Sequence, residues 1–321
     1  MGKHIIIPSI SALLSFIIFA SWGLIVNFYN VPMLVITCIF GFAGFIFLLP
    51  IGLKYNSLKD LLDIDIAVIS VVLIADIYVL GMAYRNMSFG IVTSLHYLGP
   101  LLAAVFAPIF VKEKFNGKIF AYIVAAFLGV ILMSFHMFWI NGHLTIPSNK
   151  NLYGLFLSVL SGFTLAGDLL FQNRFMKSDK TNKKSDNKLI AAAAGVFKYN
   201  LYIFLILIIP SIYIIKTSSN LNINYVQLFF IGIAIQGVAM TMVNFGSCSL
   251  PVNLMGLYGY TEIFWSAVFG IVFLGQHFFI LELIGGFIMV YASYKGFLIY
   301  RKEVANGKCN NDNGCYQEIS L

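Results

Sequence analysis

Apolar runs long enough to cross a bilayer recur along this chain, and they decide its fold class before any motif is considered. They are Ile5–Asn27, Val31–Leu53, Ile64–Tyr84, Phe89–Val111, Ile119–Ile140, Leu152–Phe171, Leu189–Ile215, Tyr225–Phe245, Pro251–Leu274 and Phe278–Tyr300. About twenty apolar residues span the hydrocarbon core. Lipid offers backbone groups no partners, so a span must be a helix or belong to a closed barrel. The runs are continuous rather than alternating, which leaves helices. Charged residues make up 10% of the chain and the mean hydropathy is +0.89, whereas a soluble domain carries roughly 25% charged residues. The expectation is an all-α polytopic membrane protein with ten transmembrane helices.

The ninth run repeats the fourth. A constant offset of 163 pairs Tyr97 with Tyr260, Ala104 with Ala267, Phe106 with Phe269, Phe110 with Phe273 and Phe115 with Phe278. Five runs in each half send the second copy into the membrane from the opposite side. Two inverted five-helix repeats of this kind are the architecture of many secondary transporters. The expected division is a first repeat over 1–140, an outer connecting loop over 141–151, a second repeat over 152–300 and a disordered cytoplasmic tail over 301–321. The segment Gln172–Lys188, dense in Lys, Ser, Asp and Asn, reads as a solvated linker.

The net charge of +7 does not imply a nucleic-acid partner, because the charges follow topology. With the N-terminus inside, sixteen Lys and Arg fall on one face and only Arg85, Lys150 and Lys216 on the other; Lys198 lies within a span. The positive-inside rule then puts both termini in the cytoplasm of a multi-pass cell (inner) membrane protein. The first run is longer than a signal-peptide core and no A-x-A site follows it, so it is expected to stay as a helix. Cys38 and Cys248 are expected within the membrane, and Cys309 and Cys315 in a reducing cytoplasmic tail where a disulfide is not expected. Nothing points to a metal or a cofactor.

Further residues carry a family likeness. Trp22-Gly23 stands in the first run. Leu98-Gly-Pro100 continues through Ala103, Ala104 and Ala107 to Lys112-Glu113, and Thr261-Glu-Ile263 continues through Ser266, Ala267 and Gly270 to Gly275-Gln276, followed by Leu283-Ile-Gly-Gly286. With these features the chain resembles bacterial members of the drug/metabolite transporter superfamily built from two EamA-type halves. The resemblance covers nearly the whole chain and implies the ten-helix architecture, a central cavity lined by the fourth and ninth helices, and transport of a metabolite or drug. Three positions depart from the family pattern: Lys112 stands where a Gly precedes Glu113, Gln276 where a second Glu is usual, and Ile263 where Pro is common.

Ionisable groups at mid-bilayer cost at least about 2.5–3.5 kcal/mol on insertion scales, so they face a cavity or a partner. Asp76, His96 and Glu262 are such residues. Glu262 is the leading substrate or coupling group, able to take up and release a proton; the alternative is a protonated Glu that merely bonds a neighbouring helix. Asp76 has the same two readings, with a Ser or Tyr as structural partner. His96 either relays a proton or donates to a backbone carbonyl freed by Pro100. Pro100 itself is expected to kink its helix, as a hinge for alternating access or as a static bend. The repeat mates Tyr97 and Tyr260 are expected to stack on substrate from two sides, with Trp265 as a third aromatic contact. Lys198 is expected to snorkel to the surface, Asp168 to pair with Arg174, and Arg85 to act as an anchor.

Two rival classes remain. Ala166-Gly-Asp168 resembles part of the G-x-G-D element of intramembrane aspartyl proteases, but Leu165 occupies its first Gly. A non-transporting scaffold needs a docking surface larger than the linker and tail provide. Without an H-E-x-x-H site or a P-loop, the expected protein is not an enzyme. It is a secondary carrier, monomeric or homodimeric in the lipid bilayer, driven by protons or a substrate gradient. The expected cargo is a small polar metabolite such as an amino acid or related zwitterion, in the direction of export, with import or exchange as the alternative.

Overall fold

The computed structural model describes residues 3–29, 31–86, 89–113, 115–140, 143–144, 149–178, 185, 187–218, 223–275 and 280–306. Its helices in chain order are α1 (Lys3–Phe19), α2 (Trp22–Phe28), α3 (Met33–Tyr55), α4 (Leu58–Leu61), α5 (Ile64–Asn86), α6 (Phe89–His96), α7 (Leu98–Phe110) and α8 (Gly117–Phe138). After the residue pairs β1 (Trp139–Ile140) and β2 (His143–Leu144) come α9 (Asn149–Ser178), α10 (Lys188–Thr217), α11 (Tyr225–Gly232), a π-helical segment (Ile233–Ala239), α12 (Met240–Ser247), α13 (Val252–Leu274) and α14 (Ile280–Ala305). β1 and β2 form a minimal antiparallel hairpin within what the sequence suggests is an end of the fifth run and the outer loop.

The protein is therefore all-helical apart from that hairpin among the described residues. Eight helical segments are long and apolar enough to cross a membrane, while Ile5–Phe19 and Gly117–Met133 are apolar but shorter. Three runs read as single helices are interrupted. The first breaks at Ala20–Ser21, the fourth at Tyr97, and the eighth carries the π-helical segment. The last run continues as helix through Ala305, past the expected start of the tail, and Asn116 at the head of α8 donates to Glu303 at 2.7 Å. Cys309, Cys315, Gln276 and residues 179–184 and 186 of the expected linker lie outside the described residues, while its first part, Gln172–Ser178, is the end of α9.

Small residues set how closely the helices approach. Gly129 of α8 and Gly285 of α14 meet backbone to backbone, so that a Cβ on Gly129 would lie 2.7 Å from the Gly285 carbonyl oxygen, and a Cβ on Gly285 would collide with that of Gly129. Such close crossings replace the hydrophobic driving force that helices lack in lipid. α3 packs along α10, α8 along α14, and α7 against α13; α9 lies against α5, α6 and α7, while α1 lies against α12, the π-helical segment and α13. Two residues have left-handed backbone among those described, Lys112 (φ 58°) at the end of α7 and Gly275 (φ 65°) at the end of α13. They are related by the 163-residue offset. The family's Gly before Glu113 thus corresponds to a position where the chain needs positive φ, which Lys112 adopts at a cost.

Candidate functional site

The interior polar groups gather where α5, α6, α9 and α13 meet, close to the breaks at Ala20–Ser21 and Tyr97. Pro100 has no N–H to offer the carbonyl of His96, one turn earlier, and its ring presses on that carbonyl. The helix yields at Tyr97 (ψ 10°), and Pro100 itself sits in the first turn of α7 against Gly256 of α13. The kink is thus three residues upstream of Pro100. At the other break, the Ser266 hydroxyl of α13 donates to the freed carbonyl of Ala20 at 3.1 Å, and Trp22 turns inward with its ring edge-on to Phe40. Broken helices are tolerated inside a membrane where protein or a cavity covers them.

Between these breaks is a partly enclosed cavity of about 30 Å³, lined by Trp22, Leu80, Tyr84, Thr93, His96, Tyr97, Glu262, Ile263 and Ser266. The structure brings His96 and Glu262, two of the ionisable residues expected inside the membrane, to this one cavity. The Tyr97 hydroxyl is within hydrogen-bonding reach of the Glu262 carboxyl. His96 is buried; its imidazole donates to the backbone carbonyl of Ser161 on α9, while Nδ1 has no partner. The carbonyl it serves is therefore not one freed by Pro100, as the sequence suggests, because α9 is packed directly against the end of α6.

Asp76 is not part of the cavity wall. It is 9% exposed and accepts a hydrogen bond from Thr164 of α9 at 2.6 Å, so its structural partner is a Thr and not the expected Ser or Tyr. One turn further along α9, Asp168 accepts from Gln172 at 2.6 Å. The expected Asp168–Arg174 pair is absent, because Asp168 faces inward while Arg174 is exposed. Asp76 lies within electrostatic range of both Asp168 and Glu262, and none of the three carboxyls pairs with Lys or Arg among the described residues. Ser161, Thr164, Asp168 and Gln172 recur at helical spacing, a polar stripe on α9 that is visible in the sequence once Asp168 is read with its neighbours.

The aromatic expectations need correction. Tyr97 and Tyr260 do meet, with ring centroids 6.0 Å apart, but they pack on each other and leave no gap for a substrate between them. Trp265 packs edge-on to Phe264 and does not line the cavity; Trp22 does. Trp265 shares a side of α13 with Glu262, but its ring packs on Phe264 and the neighbouring Ser266 takes the cavity position. Lys198 does not snorkel. It is 1% exposed, with Nζ over the Phe175 ring at 5.0 Å, because α10 is enclosed by α3, α5 and α12. Arg85 ends α5 and is exposed, as an anchor should be.

A second polar cluster was missed. Glu113 accepts from the Val252 amide at the start of α13 (2.9 and 3.1 Å to its two oxygens) and from Lys177 Nζ near the end of α9 (2.8 Å). The carboxylate thus caps a helix N-terminus, where partial positive charge collects, and ties three elements together. The Lys112-Glu113 pair was a signal for this cluster, but its partners are 64 and 139 residues away in the chain.

Sequence comparison gives a match over the first part of the chain. The profile of the EamA-like transporter family matches residues 6–135. That segment of the chain is similar to the EamA-like transporter family. The matched segment contains Asp76, His96, Tyr97 and Pro100, in a chain with eight helical segments long and apolar enough to cross a membrane. A solved structure described as "Crystal structure of protein" resembles it with a TM-score of 0.71 at 14% identity, covering 94% of this chain and 99% of that one. At that identity the likeness concerns the fold alone. No curated protein matches the sequence significantly.

Proposed function

We propose that this EamA-like protein is a proton-coupled secondary carrier that exports a small polar metabolite, an amino acid or related zwitterion, by alternating access. Its site residues in this reading are Glu262 and His96 at the cavity, Asp76 behind them, and Tyr97 and Tyr260 packed beside it. The observation that carries the proposal is the set of interior carboxyls, Glu262, Asp76 and Asp168, with no Lys or Arg partner among the described residues, close to His96 and a partly enclosed cavity. Buried acids without counter-ions are costly in a membrane and mark ion or substrate pathways. The breaks at Ala20–Ser21 and Tyr97, with Pro100 as the cause of the second, are the hinges of this reading.

The same proposal includes ten spans in two inverted repeats, 1–140 and 152–300, with both termini in the cytoplasm of the inner membrane. Three observations support it. The 163-residue sequence repeat is matched by left-handed backbone at Lys112 and Gly275. Exchanging α3 with α10, α8 with α14, α7 with α13, α1 with α9 and α5 with α12 maps the packing pairs α5–α9 and α7–α9 onto α12–α1 and α13–α1. The pairs α3–α10, α8–α14 and α7–α13 map onto themselves.

The test compares metabolites inside cells and in the medium for the wild type and Glu262→Gln. The expected outcome is a compound that leaves the cell with the wild type and stays with the variant. A compound accumulated only by wild-type cells makes the protein an importer. Identical profiles for both proteins would count against Glu262 as the transport group.

A further inference from the structure

We infer that the cavity beside Glu262 is the seat of a substrate ammonium group, so that this carrier takes amines and zwitterions rather than anions; the inference rests on the transport reading above. The cavity walls are rich in acceptors. His96 gives its one N–H to the Ser161 carbonyl, which leaves Nδ1 as a buried acceptor with no donor. Glu262 contributes carboxyl oxygens. Ser266 directs its hydrogen to Ala20 and turns lone pairs to the cavity it lines. Tyr84 and Thr93 share one hydrogen bond at 3.3 Å. The complement to such a wall is a group with several N–H donors and no acceptor, which describes –NH3+.

Size and charge agree with that assignment. The cavity volume of about 30 Å³ accepts a group of water or ammonium size. Glu262 is the one carboxyl among the lining residues, no Lys or Arg is among them, and the buried Lys198 sits over Phe175. A carboxylate head would find no Lys or Arg among the lining residues and would face the Glu262 carboxyl oxygens and His96 Nδ1, acceptors like itself. An ammonium head also finds the aromatic ring of Trp22 in the cavity wall, a favourable surface for a cation. The unpartnered Nδ1 of His96 separates this arrangement from a mere group of acidic residues, because it asks for a donor that no protein group supplies.

The test needs no transport. The full-length protein in detergent is treated with a hydrophobic carbodiimide, which labels carboxyls in apolar surroundings, and labelling of Glu262 is followed by mass spectrometry. The probes are methylammonium, tetramethylammonium and acetate at equal ionic strength. Methylammonium at several times its dissociation constant should slow the labelling of Glu262 about fivefold, while acetate and the bulky, donor-free tetramethylammonium leave it unchanged. His96→Leu should lose this protection and His96→Gln, which restores an acceptor, should regain part of it. The apparent melting temperature, raised by methylammonium alone, gives a second readout. No protection, or equal protection by acetate or tetramethylammonium, overturns the inference. Should the metabolite comparison instead yield an exported anion without an amine, the ammonium assignment falls and transport stands. Protection by methylammonium with no transported compound has the opposite meaning.

Discussion

At the scale of single residues, Lys112 shows a local rule broken for a tertiary reason. Its side chain is exposed and its φ is 58°, a conformation that costs an L-residue roughly 1–2 kcal/mol relative to right-handed helix. Lys112→Gly should therefore stabilise the protein by about 1 kcal/mol, read as a higher apparent melting temperature in detergent; an unchanged or lower value would remove strain as the explanation. Thr164 offers the opposite case. Its hydroxyl is the donor to the buried carboxyl of Asp76, and Thr164→Val leaves that group without a partner at a cost of about 1–3 kcal/mol. Asp76→Asn keeps an acceptor in place and should cost less. Equal losses in melting temperature for the two variants would mean that the bond contributes little.

At the scale of elements, two junctions hold the helices in register. Glu113 joins the end of α7 to α9 through Lys177 and to α13 through the Val252 amide, with the carboxyl almost fully enclosed. Glu113→Ala removes all of these bonds and exposes the amide to an apolar site, whereas Lys177→Met leaves the helix cap intact. The first should lower the unfolding midpoint more than the second, and the difference should reach about 1–3 kcal/mol. At the α8–α14 crossing, a methyl group on Gly285 meets the Gly129 carbonyl, which is backbone and cannot swing aside. Gly285→Ala should force the helices apart at a cost of about 1–3 kcal/mol, seen as loss of monodisperse protein on size-exclusion chromatography or a lower melting temperature. Gly117, which has open space around it, should accept Ala without such a loss.

At the scale of the molecule, the inverted-repeat proposal makes a prediction about sidedness. Single cysteines introduced at Lys118 and Arg301 should react with a membrane-impermeant maleimide in inside-out vesicles, and a cysteine at Arg85 in right-side-out cells. All three positions are exposed and the native Cys38 and Cys248 are buried, so with Cys309 and Cys315 replaced by Ser the background should be low. Reaction of Arg85→Cys and Arg301→Cys from the same side would rule out the topology.

The membrane class, the course of most helices and the relation between the fourth and ninth runs were legible in the sequence, because bilayer thickness and backbone hydrogen bonding leave few ways to arrange long apolar runs. Glu262, His96 and Asp76 were legible for the same reason, since a charge in an apolar run stands out against its neighbours. Helix phase and partner were not. Whether Trp22 or Trp265 lines the cavity depends on a break at Ala20–Ser21 that Ser266 supports from 246 residues away. Whether Asp168 faces Arg174 or the interior depends on how α9 is turned against α5, and whether Lys198 reaches the surface depends on the helices around α10. Sequence alone determined that this chain lives in a membrane and which residues are costly there. Tertiary structure decided which of them meet, because each contact joins helices distant in the chain through packing that no local pattern records.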